Sequence, residues 1–322
     1  MRVVFLNVGQ GDATLIVTPD GKSALIDAGP DPDLAVRLLR EQGITRLDLA
    51  VATHSDADHI GGLAEVARRF RPRVFLNNGV PGTTATFRRT VAAFQAAGSR
   101  GLVASDRTLG LGSKVQVRVL APDPAAGANQ NANSVGLLVS FAGFRAFLAG
   151  DAEPETTAYW AARYGKALAG VTVHKALHHG SRYNDTAAFL RPLGPKVVVV
   201  SVGANNPYGH PTGAALNLYR AAGAAVYRTD LNGTIAFTVR ADGRYNVSTT
   251  RRGPAAPGPS GARVVGALGA PGSLPNAGRD RDCVDFRRQA DAQAAFVAAG
   301  GPARDPFGLD GDRDGRACES LP

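Results

Sequence analysis

The sequence predicts an α/β protein in which two sheets pack face to face with helices outside. Short β-branched or apolar runs bounded by Gly, Asp, Asn or Pro recur throughout 1–250, and apolar residues at three- and four-residue spacing fill several of the gaps. The order is also telling. Hairpin-like strands come first, then strand–helix alternation, and the same theme returns after residue 115.

In order, VVFLNV, TLIVT and SALIDA read as strands linked by tight turns, and DLAVRLLREQG as a helix that stops at Gly43. LDLAVAT is a strand, GLAEVARRF a helix, VFL a strand and TFRRTVAAFQAAG a helix. After residue 115 the strands are VQVRVL, VGLLVSF, RAFLAG, VTVHKAL, KVVVVSV, AVYRT and TIAFTVR. PETTAYWAARYG and TGAALNLYRAAG are the helices among them. Residues 251–278 hold 12 Gly or Pro in 28 and show no periodic apolar face, which predicts a flexible linker. Residues 279–322 form a separate small unit, with a helix over DCVDFRRQADAQAAFVAAG. So small a unit needs a disulfide or a metal to hold it.

The net charge is +9, and 26 of the 36 basic residues but 18 of the 27 acidic ones lie in 1–250. That balance favours polyanionic partners, nucleic acid above all, although arginine-rich composition also serves solubility. No run approaches the roughly 18 apolar residues of a spanning helix, and MRVVFLNVGQGDA breaks into Asn and Gly too early for a leader.

The chemistry concentrates in THSDADH (53–59), between a strand and a helix. His54 and Asp56 form one pair and Asp58 and His59 another, each suited to one ion of a binuclear site. Four ligands are too few for two ions, so further His and Asp are expected at other strand ends. FLAGD ends on Asp151, HKALHHGS carries His178 and His179, and YGHP carries His210. All six histidines, at 54, 59, 174, 178, 179 and 210, fall in these clusters.

The HxDxDH pattern resembles the HxHxDH signature of the metallo-β-lactamase superfamily. More narrowly, 1–250 resembles the soluble hydrolase domain of the ComEC competence proteins, through FLNVGQGDATLI, LIDAG, THSDADHIGGL, NSVGLLVSFAGFRAFLAGD, HKALHHGS and SVGANNPYGHP. The resemblance implies an αββα sandwich with two divalent metal ions at one edge and cleavage of DNA phosphodiester bonds. His54 and Asp56 are then expected to hold one ion. Asp58, His59 and His178, or His179 in its place, hold the other, and Asp151 bridges both. The bridging water is the nucleophile, oriented by Asp58. His210 is expected to stabilise the scissile phosphate or protonate the leaving oxygen. Asp27 is expected behind the ligands rather than among them.

Two departures from the pattern matter. NANS (131–134) lacks the histidine usual there, leaving water, substrate or Asn133 to complete the first site. Asp56 replaces an imidazole by a carboxylate, which moves the preference from Zn²⁺ towards Mn²⁺ or Mg²⁺, with Mn²⁺ favoured. For GQGD (9–12), a tight hairpin and a site lined by backbone N–H groups and Asp12 both stay open. Ser181 is expected to cap a helix rather than to contact phosphate.

In the tail, LDGDRDGRACE starts like a D-x-D-x-D-G calcium loop, with Asp310, Asp312 and Asp314, but its Glu319 falls at position ten instead of twelve. With DCVDF and DPFGLDGDRDGRACE it resembles the excalibur domain, an extracellular calcium-binding module. That resemblance implies a Cys283–Cys318 disulfide and a calcium ion held by the three aspartates, the Arg316 carbonyl and Glu319. A disulfide beside a calcium loop suits an oxidising compartment. The chain is therefore expected to be secreted, cell-surface or periplasmic, with its leader removed, and the tail to associate with the cell wall. The expected activity is a metal-dependent deoxyribonuclease. The alternatives are a hydrolase of the same fold acting on a lactone, β-lactam or small phosphodiester, and a non-catalytic DNA- or envelope-binding protein.

Overall fold

Burial alternates along the strands as a two-residue period requires. In β1 (Arg2–Phe5), Val3 and Phe5 join the core between the sheets, while Val4 joins the core beneath the helices. The computed structural model describes residues 1–253, 288–298, 301 and 317. After β1 come β2 (Thr14–Val17), β3 (Ser23–Ile26), helix α1 (Pro32–Glu41), β4 (Leu49–Val51), α2 (Ala57–Ile60), α3 (Leu63–Phe70), β5 (Val74–Asn77), α4 (Ala85–Ala96) and β6 (Arg100–Val103). The second half runs β7 (Arg107–Leu111), β8 (Val115–Leu120), β9 (Gly136–Phe141), β10 (Phe144–Leu148), α5 (Pro154–Tyr164), β11 (Val173–Lys175), α6 (Ala187–Leu193), β12 (Val197–Val200), α7 (Gly213–Ala221), β13 (Ala225–Arg228) and α8 (Thr229–Asn232). The strands β14 (Ile235–Val239) and β15 (Tyr245–Thr249) close the described run 1–253.

An eight-stranded sheet in the order β15-β14-β1-β2-β3-β4-β5-β6 faces a seven-stranded sheet in the order β13-β12-β11-β10-β9-β8-β7. Val3, Ile16, Val51, Val117, Val139, Ala146, Val173 and Val199 fill the space between them. On the outside, α1, α3 and α4 cover the first sheet through Leu39, Val66 and Phe94, with Phe94 stacked on Phe75 at 3.8 Å. Trp160, Phe189 and Tyr219 of α5, α6 and α7 cover the second. The expected sandwich is therefore present, with helices on both outer faces. β14 returns from the second half of the chain to pair with β1, so the first sheet is finished last.

Within each sheet one set of strands is parallel: β3 to β6 in the first and β10 to β13 in the second. Parallel strands send their carboxyl ends the same way, and loops at such ends commonly carry ligand sites in α/β sheets. Asp27, THSDADH, Asp151 and HHG all follow those ends.

Three strands that the apolar runs do not announce, β6, β7 and β15, are all sheet edges. Exposed residues dominate β6, and β7 is exposed over most of its length, as edge strands often are. Helix α6 also goes unannounced, because Pro192 lies inside it. In the tail the structure gives helix α9 (Gln289–Ala298), where Gln293 Oε1 accepts the N–H of Ala317 at 2.7 Å. Most of the expected linker 251–278, the cysteines Cys283 and Cys318, and Asp310, Asp312, Asp314, Arg316 and Glu319 lie outside the described residues.

Candidate metal centre

The loop after β4 does not stay a loop. Residues Ala57–Ile60 form the single turn of α2, which turns Asp58 and His59 towards the second sheet. Asp56 precedes that turn without capping it, so its carboxylate is left for His54 Nε2, 3.5 Å away. The peptide is anchored across the sandwich, since Val135 N–H donates to the Thr53 carbonyl at 2.9 Å.

From the other sheet, Asp151 follows β10 and His178–His179 follow β11. The two histidines sit at φ 47° and 56° in the left-handed region, followed by Gly180 at φ 82°. Non-glycine residues reach that region at a cost of about 1–3 kcal/mol each, and such strain gathers at functional sites. Here it ends the regular alternation of the strand and sends the two rings in different directions, their planes 78° apart. His179 enters the centre. Its Nε2 lies 3.0 Å from Asp58 Oδ2 and 3.5 Å from Asp151 Oδ2. His178 stands at the rim, with Nε2 3.5 Å from the same Asp151 oxygen.

Asp58, His59, Asp151 and His179 thus offer ligand atoms within 4.8 Å of one another, a group able to hold a metal ion. Asp151 Oδ1 is 3.2 Å from His59 Nε2. The His54–Asp56 pair adjoins this group, with the His54 and His59 rings 4.1 Å apart. Among the described residues no third His, Cys, Asp or Glu joins that pair in a cluster. Asn133 gives its amide to the Gly127 and Asn129 carbonyls, and Ser134 Oγ is the group that approaches His54, at 3.4 Å from Nδ1.

The proton positions follow from the partners. His59 Nδ1 donates to Asp27 at 2.9 Å, and His179 Nδ1 donates to the Ser201 carbonyl at 2.9 Å. Thr53 spends its hydroxyl proton on Asp27 at 2.7 Å, so it accepts from His54 Nδ1 at 3.2 Å. All three imidazoles therefore turn Nε2 to the centre. His54 Nε2, His59 Nε2 and Asp151 Oδ1 are buried without a hydrogen-bond partner. Buried polar atoms are rarely left so, and three converging unpartnered ligand atoms fit a cation. Asp27 stands behind His59. Asp27→Asn should lower metal affinity about 10–100-fold with the fold intact, as measured by calorimetry. An unchanged affinity would remove Asp27 from the centre.

Charge is arranged to match. Burial disfavours ionisation of Asp151, but His59 and His179 hold its carboxyl well below the usual range. Burial likewise disfavours the charged forms of His59 and His179, yet Asp151 with Asp27 raises the first, and Asp151 with Asp12 the second, well above the ordinary histidine value. In the metal-free protein these rings hold their protons to higher pH than an ordinary histidine, and an arriving cation must displace them. Apparent metal affinity should therefore rise with pH across the neutral range, with protons released on binding. Titration calorimetry in buffers of different ionisation enthalpy reads this directly, and pH-independent binding would contradict it.

Two further groups stand at the centre: Asp12, which the GQGD motif leaves open as a lining residue, and Lys175, which no reading of the motifs singles out. Asp12 of GQGD lies inside it, and its backbone N–H donates to the Asp58 carbonyl at 3.1 Å. The hairpin is tight as well: a Cβ on Gly11 would stand 2.2 Å from that same carbonyl oxygen. Lys175, 2% exposed, ion-pairs with Asp12, donates to the Gly150 carbonyl at 3.0 Å and lies 3.7 Å from Asp151. Burial lowers its pKa, but Asp12 and Asp151 more than restore it. Period two was the available signal. Lys175 is in phase with Val173, which faces between the sheets.

The same phase corrects the grouping of all six histidines. His174 points to the opposite face, where Nε2 meets Asp185 at 2.8 Å, and Asp185 also accepts from Tyr219 at 2.9 Å. It braces α7, outside the centre. His210 does reach the rim, 5.7 Å ring to ring from His178. Burial, assisted by His178 and His179, lowers its pKa to about 4, so it is a neutral ring at physiological pH. Ser181 Oγ accepts from the Tyr183 N–H at 3.3 Å and so caps a turn, while the helix that follows, α6, is capped by Thr186 instead.

The sequence profile described as the metallo-beta-lactamase superfamily matches residues 6–204. ComE operon protein 3 of Bacillus subtilis is 28% identical over 258 residues, covering 73% of this chain and 33% of that protein. Competence protein ComA of Neisseria gonorrhoeae is 29% identical, covering 77% of this chain and 33% of that protein. Recombination protein 2 of Haemophilus influenzae is 27% identical, covering 73% and 28%. The chain thus spans about a third of the length of these relatives. Among the described residues no helix is long and apolar enough to cross a membrane.

Proposed function

Because the chain belongs to the metallo-beta-lactamase superfamily, a family of metal-dependent hydrolases, we propose that it hydrolyses DNA phosphodiester bonds. The observation that carries this is the convergence of His54 Nε2, His59 Nε2 and Asp151 Oδ1, buried and unpartnered, beside Asp58 and His179. Two relatives named for competence and recombination favour DNA as the substrate, as does the basic excess of 1–250.

His54 and Asp56 are assigned to one divalent ion, and Asp58, His59 and His179 to a second, with Asp151 between. When bound, such a pair lowers the pKa of water and screens the charge of a phosphate. The chain's own residues do the rest. Asp27, Thr53 and the Ser201 carbonyl hold the three imidazoles with Nε2 towards the centre, so the rings need no reorientation. Asp58, a third exposed where His59 and Asp151 are buried, is the carboxylate placed to accept a proton from the attacking water. Neutral His210 offers an N–H at the rim for the phosphate or the leaving oxygen. With as many carboxylates as imidazoles in the set, Mn²⁺ is favoured over Zn²⁺.

The proposal extends to the whole chain: a secreted or surface nuclease carrying a calcium-binding, disulfide-held unit in 279–322. The test is cleavage of end-labelled single- and double-stranded DNA in Mn²⁺, Mg²⁺ and Zn²⁺, with nitrocefin and a lactone in parallel. Cleavage of DNA in Mn²⁺ is expected. Hydrolysis of nitrocefin or lactone with intact DNA in every metal would overturn it.

A further inference from the structure

Among the described residues, the exposed large apolar side chains include two aromatic rings, Tyr183 at 67% and Tyr208 at 60%. Both rise from the loops that carry the rim histidines. Those loops form one surface. Thr212 N–H donates to the Gly180 carbonyl at 3.0 Å, and a Cβ on Gly180 would stand 2.6 Å from Pro211 Cβ. A row of rings then leads inward. Tyr208 lies 5.9 Å from His210 with the planes 30° apart, and His210 lies 5.7 Å from His178. His178 Nε2 is 3.5 Å from Asp151. On the neighbouring loop the Arg182 guanidinium lies 5.2 Å from the Tyr183 ring centroid. A single exposed tyrosine is ordinary surface. Two on one rim, one of them heading a row of rings that ends at the centre, make a surface suited to flat π faces.

We infer that Tyr208 and Tyr183 form a base-stacking platform, and that the centre acts on single-stranded nucleic acid with an unstacked base laid on Tyr208 beside the scissile phosphate. This rests on the phosphodiesterase reading and names its substrate class. Inside a duplex both faces of a base are already stacked, whereas every base of a single strand can offer a face to a ring. Arg182, stacked beside Tyr183, adds positive charge along the path of the backbone.

The experiment compares binding of an oligothymidylate with binding of an abasic chain of equal length, which carries the same phosphates and no bases. Fluorescence anisotropy is read on the Mn²⁺-loaded full chain at fixed salt, before product accumulates. The native protein should bind the thymidylate about tenfold more tightly than the abasic chain. Tyr208→Ala should bring the two affinities together, and Tyr208→Phe, which keeps the ring, should preserve the difference. Both tyrosines are exposed, so the variants should unfold at the native midpoint. Equal binding of the two chains by the native protein, no binding of either, or a preference that survives Tyr208→Ala combined with Tyr183→Ala overturns the platform. Cleavage in the same mixtures reports separately. Cleavage without base preference sinks the platform and leaves the phosphodiesterase standing, and base preference without cleavage does the reverse.

Discussion

Asp151→Ala will reduce hydrolysis by at least about 10³-fold and empty the centre of bound metal. Asp151 is buried, and one carboxylate there faces His59 Nε2 at 3.2 Å, His178 Nε2 and His179 Nε2 each at 3.5 Å, and Lys175 Nζ at 3.7 Å. Removing it deletes the donor placed between the two ligand sets and leaves imidazoles and an ammonium facing one another in low dielectric. Asp151→Asn separates charge from shape, since it keeps the volume and the Ser134 contact to the backbone N–H at 3.2 Å but loses the anion. It should lose activity nearly as fully. Elemental analysis of the purified variants, with initial rates at saturating Mn²⁺, reads both effects. Full activity with native metal content in either variant would dismiss the centre as assigned.

Lys175→Met will destabilise the metal-free protein by about 3–5 kcal/mol, because it breaks a buried ion pair from one side. Asp12 would stay buried and charged, with His179 Nδ1 at 3.4 Å and His59 Nδ1 at 3.8 Å as its nearest cationic partners. The methionine fills the volume of the lysine stem, so the loss reports charge rather than a cavity. Urea unfolding in chelator measures it. Asp12→Asn combined with Lys175→Met should recover a large part of the loss, since neither charge then remains unpaired. A single-variant loss below about 1 kcal/mol would mean that solvent or the histidines already neutralise Asp12.

What the sequence disclosed and what it hid have separate physical causes. The central strands were legible because both of their faces are buried, which leaves runs such as VVVV in β12. The edges β6, β7 and β15 were not, because an edge needs few apolar residues. THSDADH was legible because four donors in six positions have little other use. Lys175 was hidden by its chemical type, although its phase with Val173 pointed inward. His174 was drawn into the cluster by nearness in sequence, where phase would have set it apart. Between His178 and His179 no pattern could choose, since consecutive left-handed residues abolish the alternation from which a choice would be read. Asn133 and Ser134 pose the same problem one residue apart, and it is Ser134 that meets His54.

The return of β14 to β1 has a consequence for how the molecule could be divided. Asp12, His54, Asp56, Asp58 and His59 come from the chain before the β6–β7 connection, and Asp151, Lys175 and His179 from the chain after it. The second piece also supplies β14 and β15 to the sheet of the first. A backbone cut between Val103 and Arg107 would therefore yield two fragments, each inert and each missing part of a sheet. Mixing them would restore a complete set of donors only on reassembly, which makes the chain a natural split reporter.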